Sequence, residues 1–122
     1  MTGSDVVTIR PFLPAKNFAV SKEFYLALGF TQQFGDAEIA GFELGGHAFL
    51  LQNFYVAEWA GNFVMHMTVK DVDAWWAWFL GLKLVEKHPD MMARPPEMQP
   101  WGLRVAYISD PSGVLWHIAQ QR

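Results

Sequence analysis

The chain runs twice through one order of local patterns, and this repetition limits its possible folds more than any other feature. Val6, Val7, Ile9 and Phe12 make a β-rich opening, and Pro11 and Pro14 keep its far end from being a central, fully hydrogen-bonded strand. Asn17 then caps a helix expected to run to about Leu28. It carries Phe18, Phe24, Tyr25 and Leu28 on one side, with Gly29 placed to end it. Three strand-like runs follow, at 30–35, 38–44 and 48–53, broken at Gly35-Asp36 and Gly45-Gly46, and they read as an antiparallel meander.

After a connection over 54–62 the order begins again. The run 63–69 has strand composition, Asp71 is an N-cap, and Val72, Trp75, Trp76, Phe79 and Leu80 recur at helical spacing before Gly81. A short strand is expected at 82–86, then a long loop holding Pro89, Pro95, Pro96 and Pro100. Strands at 103–108 and 114–119 follow, joined by the turn Asp110-Pro111-Ser112-Gly113. A shift of 54 residues lays Asn17 on Asp71 and Phe24-Tyr25-Leu26 on Trp78-Phe79-Leu80, as a tandem duplication would. The expected fold is α+β: two βαβββ half-units, about 1–54 and 62–122, in a single domain over 1–122. Each half-unit has one helix to cover one sheet face, which leaves the other face free to curve into a cup where a ligand can bind.

Composition removes several function classes. Without cysteine there is no disulfide scaffold, cysteine-bound zinc or thiol nucleophile. The net charge of -3, with no basic cluster, disfavours nucleic acid. No apolar run is long enough for a membrane span, and Met1-Thr2-Gly3-Ser4-Asp5 lacks the features of a signal peptide, so a cytoplasmic location is expected. No serine sits in a Gly-x-Ser-x-Gly elbow and no glycine-rich phosphate loop is present. Six Trp and ten Phe exceed what a core of this size requires, so some rings are expected to line a pocket or a subunit interface.

The segment ending in Phe24-Tyr25-Leu26-Ala27-Leu28-Gly29-Phe30, together with Asp110-Pro111-Ser112-Gly113, resembles the vicinal oxygen chelate superfamily of glyoxalases, extradiol dioxygenases and bleomycin resistance proteins. Gln99-Pro100-Trp101-Gly102, the Asp110-Pro111 pair and His117 resemble the bleomycin resistance proteins in particular, and Ile39-Ala40-Gly41-Phe42 is similar to them too. The resemblance implies a homodimer with ligand grooves between subunits. These grooves would hold a cationic aromatic drug by stacking and acidic groups, without transforming it, so that the protein confers antibiotic resistance by sequestration.

The superfamily's enzymes hold a divalent metal on four strands. The corresponding positions here are Arg10, a permanent cation; Leu51, or Gln52 with a slip of one; Val64, which has no donor; and His117. This set implies no metal, no cofactor and no catalytic residue. His66, two residues beyond Val64 and on its face of the strand, keeps open the alternative of a metal-dependent lyase, isomerase or dioxygenase.

The candidate ligand-binding residues are Trp101, His66, His117, Arg10, Gln52 and Trp59. Trp101 is expected to be a stacking platform because it lies off any periodic apolar face. His117 is expected to face the cup. His66 either contacts ligand or is a satisfied histidine within the sheet, and Arg10 either meets an anionic ligand group or forms a structural ion pair. Trp59 either roofs a groove or seals the dimer. Met91, Met92 and Met98 can line a loop over the site, and Asp36, Glu38, Glu58 and Glu97 are the carboxylates available to attract a cation. Trp75, Trp76, Trp78 and Phe79 are expected to pack the second helix. A protein that keeps this fold for an unrelated ligand is a further possibility.

Overall fold

In the computed structural model, residues 3–122 are described; Met1 and Thr2, part of the Met1-Thr2-Gly3-Ser4-Asp5 opening read above, lie outside them. After a 3-10 turn at Gly3–Asp5, the first half-unit consists of β1 (Phe12–Pro14), α1 (Phe18–Ala27), β2 (Thr31–Gly35), β3 (Ile39–Leu44) and β4 (His47–Gln52). A single-turn helix α2 (Ala57–Ala60) lies in the connection. The second half-unit is β5 (Val64–Val69), α3 (Val72–Gly81), α4 (Leu84–Lys87), β6 (Ala93–Met98), β7 (Arg104–Ser109) and β8 (Leu115–Gln120). Both sheets have the same topology, β1-β4-β3-β2 and β5-β8-β7-β6, with the first strand of each half parallel to its last and the remaining pairs antiparallel.

Both helices begin where their caps require. The Asn17 side chain accepts from Val20 N at 3.2 Å, and Asp71 accepts from Ala74 N at 3.0 Å. Each helix turns its apolar side to its sheet, and Phe24, Tyr25, Phe42, Phe49, Phe79, Ile108 and Ile118 are buried in one continuous core shared by the two halves. Rings dominate that core: Tyr25 lies against Phe30, Phe42, Phe49 and Trp116 at centroid separations of 4.8–6.0 Å.

Two expected elements fall elsewhere. Residues 82–86 are not a strand: Lys83 is left-handed (φ 58°), and the turn α4 follows, with Leu84 tucked into the core and His88 N donating to Leu84 O. The strand at this point in the repeat is β6, which contains the Pro95-Pro96 pair read above as loop. Two prolines fit because β6 is the last strand of its sheet and its pairing with β7 shifts between Arg94 and Glu97, so neither proline has to donate to the ladder. The opening strand is also shorter than its composition implied, since Val6, Val7 and Ile9 precede β1 and stand exposed.

The halves are clipped together beneath the last turn. Asp110 is buried. One of its carboxylate oxygens accepts from Tyr25 Oη on α1 at 2.6 Å, and the other accepts from the backbone N–H of Ser112 and Val114 at 2.9 Å each. Trp116 Nε1 donates to Tyr25 Oη at 3.0 Å, and Ser112 Oγ accepts from Lys16 N at 2.8 Å. Gly113 closes the turn at φ 91°, a conformation that disfavours any residue with a Cβ. The resemblance motif Asp110-Pro111-Ser112-Gly113 is therefore a structural joint between half-units.

Candidate ligand-binding faces

With α1 and α3 covering one face of each sheet, the opposite faces are left uncovered, and strand register fixes which side chains they carry. In the second sheet His66 pairs with His117, His117 with Tyr107, and Tyr107 with Arg94. These four residues make one straight row across β5, β8, β7 and β6. The His66 and His117 rings are 6.0 Å apart and those of His117 and Tyr107 4.8 Å apart. No side chain in the row forms a hydrogen bond or ion pair with the described residues; the one ion pair among them is Arg104–Asp73, between β7 and α3.

The matching row of the first sheet is Phe12, Leu50, Gly41 and Phe34. Gly41 is required here because a Cβ at that position would run into the Phe34 ring, which lies across it. The guanidinium of Arg10 sits 5.7 Å from the centre of the Phe34 ring, so this arginine makes a cation–π contact rather than the structural ion pair considered above. Gln52 is two residues from Leu50 and shares its face, whereas Leu51 is turned into the core and is fully buried.

The six candidate residues thus divide. His66 and His117 come together on the second sheet, and Arg10 and Gln52 lie on the first. Trp101 sits at the tip of the β6–β7 hairpin, in the turn closed by Gly102 N to Gln99 O, and is 53% exposed. Trp59, on α2, is 67% exposed and touches only the Phe54 ring among the aromatic groups. Met91 is buried while Met92 and Met98 are exposed. Asp36 is committed to its own turn: it accepts from Glu38 N and Ile39 N, and these bonds hold its carboxyl below the usual range. Glu97 does lie on the second open face, paired with Val105. Arg94, Tyr107, Phe12, Phe34 and Leu50 were not singled out from sequence.

A cleft of about 540 Å³ lies beside these faces, between the β3–β4 hairpin and the outer edge of β5. Phe30, Phe49, Met65, Met67, Trp75 and Trp116 give it apolar walls, and His47 and His66 also line it. Trp75 therefore serves the cleft as well as packing on Phe79.

Burial, and then the neighbouring charge of His66, push the His117 imidazole below its ordinary value. The folded protein thus binds its proton less readily than the unfolded chain. Stability contributed by this group is present in full above the ordinary histidine range and is lost as pH falls through that range towards the lowered value. Denaturation midpoints measured from pH 7.5 to 5 are expected to show a smaller acid-side decline in His117→Asn than in the parent protein.

The four positions that correspond to superfamily metal ligands do not fit a divalent cation. Arg10 is a cation itself, Val64 is a hydrocarbon, and only Gln52 and His117 remain, with no carboxylate. Among the described residues no three His, Cys, Asp or Glu side chains are grouped to hold a metal.

No family model and no curated protein matches the chain. Solved structures do. The bleomycin-binding protein from bleomycin-producing Streptomyces verticillus, complexed with copper(II)-bleomycin, superposes with a TM-score of 0.78 at 22% identity, over 96% of this chain and 98% of that one. A bleomycin resistance determinant encoded on the transposon Tn5 gives 0.71 at 25% identity, over 96% and 99%. The chain has the vicinal oxygen chelate fold. That fold is shared with enzymes: the lactoylglutathione lyase from Agrobacterium tumefaciens matches with a TM-score of 0.70 at 18% identity, over 95% of each chain. Within the vicinal oxygen chelate fold the open sheet faces are thus compatible with binding proteins and with catalysts, and the side chains must decide between them.

Proposed function

We propose that this chain is a non-catalytic small-molecule binding protein, a cytoplasmic homodimer that sequesters extended aromatic drugs of the bleomycin type and so confers resistance to them. The observation that carries the reading is the His66–His117–Tyr107 row: three planar side chains on an open face, with no hydrogen-bonding partners among the described residues, in a fold shared with a protein bound to copper(II)-bleomycin. The binding groups we assign are His66, His117, Arg10, Gln52, Trp101 and Trp59, with the two tryptophans able to close over a ligand from the hairpin tip and the connection. Consistent with a location away from the bilayer core, no helix among the described residues is long and apolar enough to cross a membrane.

Titration of metal-free and copper-loaded bleomycin into the purified protein, followed by tryptophan fluorescence, tests the reading. Saturable quenching at two equivalents per dimer is expected. Trp101→Ala should weaken binding about tenfold, as loss of one stacking platform does, while leaving the melting temperature unchanged. A flat titration to high micromolar drug would withdraw the drug assignment.

A further inference from the structure

The two open faces, equivalent in topology, have diverged in chemistry along one row. Where the first sheet places Phe12, Leu50, Gly41 and Phe34, the second places His66, His117, Tyr107 and Arg94 at the same steps of strand order. Neighbouring strands are spaced about 4.8 Å apart, so the second row presents imidazole, imidazole, phenol and guanidinium over about 14 Å. The guanidinium is permanently positive and donates through a planar fork, the phenol carries an O–H, and each imidazole offers an N–H. None of these donors is discharged within the described residues. The carboxylate on this face is Glu97, which lies beyond the Pro95-Pro96 bulge from Arg94 and pairs with Val105, outside the row.

We propose that this row is an acceptor for the head group of an aromatic anion, with a carboxylate, sulfonate or phosphate held by Arg94 and Tyr107 and the attached ring lying over His117 towards His66. A guanidinium fork and a phenol on adjacent strands match the oxygens of such a group, and the two imidazoles, inclined at 62° to one another, continue the contact with one ring edge and one ring face available to the ligand's ring. The inference rests on the reading of this face as a ligand site but not on the identity of the drug.

The test uses two fluorescent probes of similar size, anilinonaphthalene sulfonate and the neutral N-phenylnaphthylamine. The sulfonate is expected to bind the parent protein saturably and about tenfold more tightly than the neutral probe, the worth of one charge-assisted contact. Arg94→Ala and Tyr107→Phe should each erode that preference and leave the neutral probe's affinity and the thermal melting midpoint unchanged; His47→Ala should leave the preference intact. Equal affinities in the parent protein, or a sulfonate preference that survives Arg94→Ala, would overturn the assignment. Bleomycin is titrated into the same samples. Drug binding without a sulfonate preference removes the anion site and leaves the drug reading standing, whereas a sulfonate preference without drug binding supports the anion site and removes the drug.

Discussion

Replacing Asp110 by Ala is expected to destabilise the protein by about 3–4 kcal/mol. The carboxylate accepts from three donors, Tyr25 Oη and the backbone N–H groups of Ser112 and Val114, and all lie out of water. Truncation strands them together, and it also frees the turn that sets β8 against β7. Tyr25→Phe should cost less, about 2 kcal/mol, because it leaves one carboxylate oxygen and the Trp116 indole N–H unpaired. Asp110→Asn separates charge from connectivity. Its amide oxygen can still receive the two backbone donors, but its NH2 group meets a phenol oxygen that already accepts from Trp116.

Burial raises the Asp110 carboxyl, against hydrogen bonds from Tyr25, Val114, Ser112 and Gly113 that act to lower it. The folded state therefore keeps this proton to higher pH than the unfolded chain. The group's contribution to stability falls as pH rises from the ordinary aspartate range through the folded value, and Asp110→Asn should lack that slope. Urea denaturation of the three variants across acid pH measures both effects. A cost below about 1 kcal/mol for Asp110→Ala would mean that water or a rearranged turn satisfies the stranded donors.

How much of this was legible beforehand follows the physics of each residue. The caps Asn17 and Asp71 and the helical stripes were readable because capping and burial act within a few residues of one another. The doubled βαβββ order was readable because the pattern repeats. The prolines of β6 were misread because a sheet-edge position and a bulge, both tertiary facts, are what make a Pro-Pro pair tolerable in a strand. That misreading hid Arg94 from the candidate site, since its place in the row exists only once β6 pairs with β7. Tyr107, Phe12, Phe34 and Leu50 were missed for a related reason: each looks like ordinary strand composition until cross-strand register assigns it to an open face. His66 and His117 were legible without register because the resemblance places His117 at a superfamily ligand position and His66 two residues beyond another, Val64, on the same strand face.

The second large effect concerns the proposed homodimer. Val7 is 97% exposed and Ile9 87%, in a β-rich stretch with no strand partner among the described residues. A single chain gains nothing by presenting such a segment to water. The outer side of β5 is likewise unpaired and borders the cleft walled by Met65, Met67 and Trp75. In the proposed homodimer, the Val7–Ile9 stretch of one copy would lie along the outer side of β5 of the other with its apolar side chains in that cleft, in a closed, two-fold arrangement. We therefore expect Val7→Asp/Ile9→Asp to dissociate the proposed dimer. Losing two buried aliphatic side chains is worth about 4 kcal/mol per arm, or about a thousandfold in Kd for each arm, before the cost of placing carboxylates in the trough. Sedimentation velocity at micromolar protein should show a dimer for the parent chain and a monomer for the variant, with the thermal melt of the variant still cooperative because none of the core residues is touched. A dimer that survives both aspartates would place the interface elsewhere, and a parent protein that sediments as a monomer would remove the dimer altogether.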